Sequence, residues 1–201
     1  ALSYLHSRSP TVVHGDIKGS NVFVETLHAS RQRAKLLDFG LSRLLGGGHI
    51  RRLGGTRLWM APEAWAGVAP PHHSADVYSF GWLFYMTMAG RPPSAVTTQD
   101  SLRALFAAGA APDPPWDGAA ADAPECRELC SGCLHFDAAA RPQTAQILRA
   151  LEELLAREGL RGSGEAARGS ISEALDVVRK RIREQRVVGQ CTRQQKQWMR
   201  L

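Results

Sequence analysis

Three short runs, Val12-Val13, Val22-Phe23-Val24 and Ala34-Lys35-Leu36-Leu37, constrain the fold of this chain more than anything else in it. Each is β-branched or apolar, and each is too short for anything but a small strand. The segment His14-Gly15-Asp16-Ile17-Lys18-Gly19-Ser20-Asn21 fills the first gap, and Asp38-Phe39-Gly40 follows the third run. Strand, loop, strand, turn, strand in this order puts two carboxylates, Asp16 and Asp38, at the ends of neighbouring loops. Such a layout brings acidic oxygens beside one metal-bound anion.

The rest of the chain reads as helix. Ala1–Ser7 resembles the end of a helix with Leu2 and Leu5 on one side. Ser74–Met88 is the most apolar segment, with Ser74 as its expected N-cap and Gly90-Arg91-Pro92-Pro93 as its stop. Cys126–Phe136 and Gln143–Leu155 are expected to form two more helices, and 110–124 a loop rich in Ala, Pro and Asp. Leu41–Met60, with Gly46-Gly47-Gly48 inside it, reads as a long loop of the kind that is usually functional or disordered. Residues 159–169 hold four glycines and form a linker. Ser170-x-x-Glu173 is a capping box that opens a last helix, along which Ile171, Leu175, Val178 and Ile182 recur at helical spacing.

Charge separates the tail from the body. Residues 157–201 hold 11 of the 25 basic and 5 of the 19 acidic residues, so the whole net charge of +6 lies there and residues 1–156 are neutral. Arg179, Lys180, Arg181, Arg183 and Arg186 cluster on the expected tail helix. Such a helix suits docking on the body, a protein partner such as calmodulin, or an acidic membrane surface. Basicity confined to a tail gives no reason to expect a nucleic-acid partner. No apolar run approaches the roughly 20 residues of a membrane span, and no secretory signal opens the chain, so an intracellular, cytoplasmic setting is expected. Cys126, Cys130 and Cys133 have a C-x3-C-x2-C spacing with His135 close by. That spacing would suit a zinc site, but their place on an amphipathic helix reads as core or surface thiols.

The motifs together carry a resemblance. His14-Gly15-Asp16 with Lys18 and Asn21, then Asp38-Phe39-Gly40, then Ala61-Pro62-Glu63, stand in the order and spacing of a eukaryotic protein kinase. The chain resembles the C-terminal lobe of that family, an α+β fold, mainly helical, with short β-hairpins around the catalytic loop. Residues 1–158 would form the lobe, 159–169 the linker and 170–201 the basic helical tail. Asp16-Ile17-Lys18-Gly19-Ser20-Asn21 and Gly54-Gly55-Thr56-Arg57-Leu58-Trp59-Met60 are similar to the tyrosine-kinase-like group of serine/threonine kinases.

The resemblance implies transfer of the γ-phosphoryl of ATP to Ser or Thr hydroxyls of protein substrates, with ATP and Mg²⁺ as cofactors. By that likeness Asp16 is the base, Lys18 neutralises charge on the γ-phosphate, and Asn21 and Asp38 hold Mg²⁺. Phe23 would floor the adenine, and Thr56 would help recognise the substrate hydroxyl. Structural roles carry over too: His14 and Phe39 pack together, Gly40 lets the backbone turn, Glu63 pairs with Arg141, and Asp76 anchors the catalytic loop.

Two departures bear on this reading. Gly15 stands where most regulated kinases have an Arg that pairs with a phosphorylated activation loop, so activation by that route is not expected. The chain also has no Gly-x-Gly-x-x-Gly followed by a Val-Ala-x-Lys strand, so the N-terminal lobe is expected to be absent. The chain alone is then a weak or inactive catalyst, and the alternative is a non-catalytic pseudokinase or scaffold that binds protein partners.

Overall fold

The computed structural model describes residues 1–28, 31–44, 57–67, 72–117 and 123–161. Helix α1 (Leu2–His6) leads into a two-residue strand β1 (Val12–Val13). A hairpin follows, β2 (Val22–His28) with β3 (Arg31–Leu36), antiparallel with Val22 opposite Leu36. Strand β4 (Arg43–Leu44) then returns to pair with β1, Val13 opposite Arg43. The catalytic-loop motif spans β1 to β2, and the Asp-Phe-Gly motif spans β3 to β4. The two paired ladders therefore clamp both acid-bearing turns.

Helices make up the remainder: α2 (Pro62–Ala66), α3 (His73–Ala89), α4 (Gln99–Ala107), α5 (Pro124–Cys133) and α6 (Thr144–Arg161). The arrangement is the expected α+β one, mostly helical with small β-hairpins. Helix α3 is the axis of the core, because none of its residues is exposed and most are apolar, as in a helix with neighbours all round. Tyr78, Trp82 and Tyr85 are fully buried, and Leu102 of α4, Cys126 and Cys130 of α5 and Leu134 pack against them. Gly90 closes α3 with φ +67, and its N–H returns to the Met86 carbonyl.

Several boundaries differ from the sequence expectation. The N-cap of α3 is His72, not Ser74, because the His72 ring nitrogen accepts the Ser74 N–H and sets the cap two residues earlier. The hairpin strands are longer than their apolar runs, since backbone pairing carries them past Val24 and back to Arg31. The stretch 41–60 is not loop throughout: β4 and a 3-10 turn at Arg57–Trp59 lie in it. Helix α5 starts at Pro124 and stops at Cys133, and α6 runs to Arg161. Linker residues 162–169, the tail, Cys191 and Thr56 lie outside the described residues.

The three described cysteines are buried and free, as core thiols. Burial pushes the Cys130 thiol far up and the Cys133 thiol to about 12, so both stay protonated and unreactive near neutral pH. Cys133 also explains a glycine. A Cβ on Gly81 would lie 2.9 Å from the Cys133 Cβ and 3.0 Å from the Leu134 side chain. The Cys133 Cβ is fixed to the α5 backbone, so α3 and α5 would have to part. Overpacking of this kind costs about 1–3 kcal/mol, against about 1 kcal/mol regained from helix propensity. Gly81→Ala is expected to lower the urea midpoint with m unchanged, and a higher midpoint would contradict this packing. No helix among the described residues is long and apolar enough to cross a membrane.

Candidate active site

The β1–β2 loop is held from below by one buried carboxylate. Asp76, on the first turns of α3, is 1% exposed. Its Oδ2 accepts the His14 N–H at 2.8 Å and its Oδ1 accepts the Gly15 N–H at 2.8 Å. His6 of α1 reaches the same Oδ2 with its Nε2 at 2.9 Å. A carboxylate this deep is stable only when its lone pairs are satisfied, and here loop backbone satisfies them. Two successive N–H groups can face one carboxylate because Gly15 turns the chain with φ +79, a conformation a side chain disfavours by roughly 1–2 kcal/mol.

His14 ties the loop to the second motif. Its Nδ1 accepts the Asp16 N–H at 3.3 Å, so the ring proton sits on Nε2, which donates to the Leu37 carbonyl at 3.1 Å. Phe39 meets the His14 ring edge-on at 5.0 Å between centroids, and the Ser42 hydroxyl donates to the His14 carbonyl at 3.2 Å. His14 is fully buried, with both ring nitrogens spent on backbone.

Three side chains then converge. Lys18 Nζ lies 2.6 Å from Asp16 Oδ2, and Asn21 Nδ2 donates to the same oxygen at 2.9 Å. The second Asn21 N–H goes to the Asp16 carbonyl at 2.8 Å. One oxygen of Asp16 is thus held by two donors, and among the described residues nothing donates to the other, Oδ1. Asn21 has committed both its donors to Asp16, which turns its carbonyl oxygen away from that pair.

Asp38 comes to the same end of the hairpin as Asn21. The Leu37 N–H donates to the Asn21 carbonyl at 2.8 Å, one step beyond the Val22–Leu36 pair. Asp38 itself sits at φ +64 with its Oδ1 accepting the Gly40 N–H at 3.1 Å, a strained conformation for a residue with a Cβ. The Asn21 side-chain oxygen Oδ1 and the Asp38 carboxylate are hard oxygen donors of the kind Mg²⁺ takes, so the donor set fits that ion. Phe23 is half-buried on β2, opposite Lys35. Elsewhere Arg141 grips Glu63 through two bonds, Nη1 to Oε1 at 2.7 Å and Nη2 to Oε2 at 2.8 Å.

An ordered pair of acid-bearing turns, one anchored on a helix carboxylate, matches a known domain: the protein kinase domain matches residues 1–151. The chain belongs to the protein kinase family. Among its relatives, serine/threonine-protein kinase fused of Drosophila melanogaster is 36% identical over 150 residues, 74% of this chain and 17% of that protein. Receptor-interacting serine/threonine-protein kinase 3 of Rattus norvegicus is 38% identical over 109 residues, 51% of this chain and 22% of that protein. A probable receptor-like serine/threonine-protein kinase of Arabidopsis thaliana is 32% identical over 168 residues, 75% of this chain and 37% of that protein. The chain thus spans well under half the length of these relatives. They accord with the likeness to the tyrosine-kinase-like group.

Within this kinase domain, sequence reasoning named Asp76 but missed His6 and Ser42. Neither carries a local signal. His6 meets Asp76 across 70 residues of chain, and Ser42 meets a backbone carbonyl across 28.

Proposed function

We propose that this chain supplies the phosphoryl-transfer half of a protein serine/threonine kinase, which moves the γ-phosphoryl of ATP to a Ser or Thr hydroxyl of a protein. The observation that carries this reading is the pinning of Asp16 Oδ2 by Lys18 and Asn21, which among the described residues leaves Oδ1 open as an acceptor. A substrate hydroxyl placed there gives its proton to Oδ1 as its oxygen attacks the γ-phosphorus and the bond to ADP breaks. Positioning is the main work of such a site, because the loose transition state asks for little covalent chemistry. Lys18, 21% exposed beside Asp16, is the cation that neutralises charge spreading over the transferring oxygens. Asn21 and Asp38 would hold Mg²⁺, which would supply neutralisation of phosphate charge. Thr56 would help select a Ser or Thr hydroxyl, and Phe23 would lie under the adenine. The serine/threonine specificity in the names of the relatives supports the same choice of acceptor.

The test uses the full-length protein, γ-labelled ATP and a mixed peptide pool. Label on Ser and Thr is expected, abolished by EDTA and reduced at least about 100-fold in Asp38→Ala. Label on Tyr, or an Asp38→Ala protein as active as wild type, would overturn the assignment.

A further inference from the structure

An open groove of about 870 Å³ lies between α5, α6, the N-terminal end of α3 and the 138–143 segment, remote in sequence from the phosphoryl-transfer loops. Its floor is apolar, from Leu129 of α5 with Ala150 and Leu154 of α6. Its walls are acidic: Glu128 stands on α5 and Glu153 on α6, both exposed and neither in an ion pair among the described residues. Glu125 lines it too, but is matched by Arg157 at 3.3 Å. An apolar trough between two carboxylate walls suits the apolar face of a helix with cations on its flanks.

We propose that the occupant is this chain's own segment 170–186. Sequence supplies the complement. At 3.6 residues per turn, Ile171, Leu175, Val178 and Ile182 fall on one narrow stripe. Arg179 and Arg186 fall on one flank of that stripe and Arg181 on the other, whereas Glu173, Asp176 and Glu184 fall on the far side. Cations therefore border the apolar face on both edges, where the groove offers Glu128 and Glu153, and the acids point away.

Chain continuity supplies the path. Helix α6 is itself one wall of the groove, and it ends at Arg161, one turn past the groove-lining Arg157. Residues 162–169, with Gly162, Gly164 and Gly169, then precede the capping box. A connection of about 2–8 residues is what joins antiparallel helices, so the tail returns along α6 and lays its stripe over Leu129 and Leu154. Tethering replaces a bimolecular encounter with a local one at high effective concentration. The basic tail is thereby an internal ligand of the lobe, and this holds whatever reaction the loops perform.

Hydrogen exchange on the full-length protein, read by mass spectrometry over 170–186, tests the assignment. A helix of this length is marginal in water alone, so protection there reports docking. Wild type is expected to exchange about tenfold or more slowly than the double charge reversal E128R/E153R. R179E/R181E/R186E, which leaves the lobe untouched, is expected to lose protection equally, and combining the two sets restores it. Equal exchange in wild type and E128R/E153R overturns the proposal. So does protection that rises with protein concentration, the mark of a second copy, or that appears only with phosphatidylserine vesicles, the mark of a membrane site.

Discussion

Asp16→Asn in the full-length kinase is expected to lower kcat by about 10²- to 10⁴-fold, the usual worth of a positioned general base, with KM for ATP nearly unchanged. The substitution keeps shape and removes one capacity. Lys18 and Asn21 both donate to Oδ2, so an amide at position 16 must direct its oxygen towards them. Its NH₂ then occupies the place of Oδ1 and presents donors to the hydroxyl that must give up a proton. The folded loop survives, because Asp76 holds it through the His14 and Gly15 backbone rather than through Asp16. A loss confined to kcat marks an interaction made in the transition state. Steady-state kinetics on Ser and Thr peptides decides it. An unchanged kcat, or a change in KM alone, would remove Asp16 from the role of base.

Lys18 and Asn21 were named through likeness to a family, and the contact both make with Asp16 Oδ2 was not part of that reading. The hairpin was legible in the residues themselves, because its apolar runs mark its strands. What could not be read were the parts set by contacts between distant segments. Helix α4 is different, a local signal left unused: Thr98 caps it, and Leu102, Leu105 and Phe106 stand at i, i+3 and i+4 on the face it packs against the core. The cap at His72 depends on a ring nitrogen outside the usual capping residues. Gly81 offers no clue in sequence, since its reason is the Cys133 Cβ on another helix. Asp76 was found through likeness to a family, and the buried His6 that shares its oxygen was not.

Arg141→Met is expected to destabilise the domain by about 3–5 kcal/mol, the range for breaking a buried pair by removing one partner. The Arg141 side chain is 0% exposed, and the structure employs every N–H it has. Nε donates to the His135 carbonyl at 2.8 Å. Nη1 serves Glu63 Oε1 and the Ser74 carbonyl, and Nη2 serves Glu63 Oε2 and the Phe136 carbonyl. Five donors are the full guanidinium complement, so this one side chain sews α2 to the start of α3 and to the 135–136 turn. Methionine fills a similar volume but strands the Glu63 carboxylate and three carbonyls. Lysine keeps the charge but offers only three donors from a single point, so it recovers part of the loss at most. By contrast, breaking the solvent-exposed pairs Arg91–Asp117 or Arg127–Asp113 is expected to cost about 0–1 kcal/mol. Urea midpoints of the three variants, compared at constant m, give the order Arg141→Met, Arg141→Lys, exposed pairs. Near-equal midpoints would mean that the fork adds nothing beyond its packing. Activity should follow stability here, because the start of α3 that Arg141 fastens is the turn that carries Asp76 to the catalytic loop.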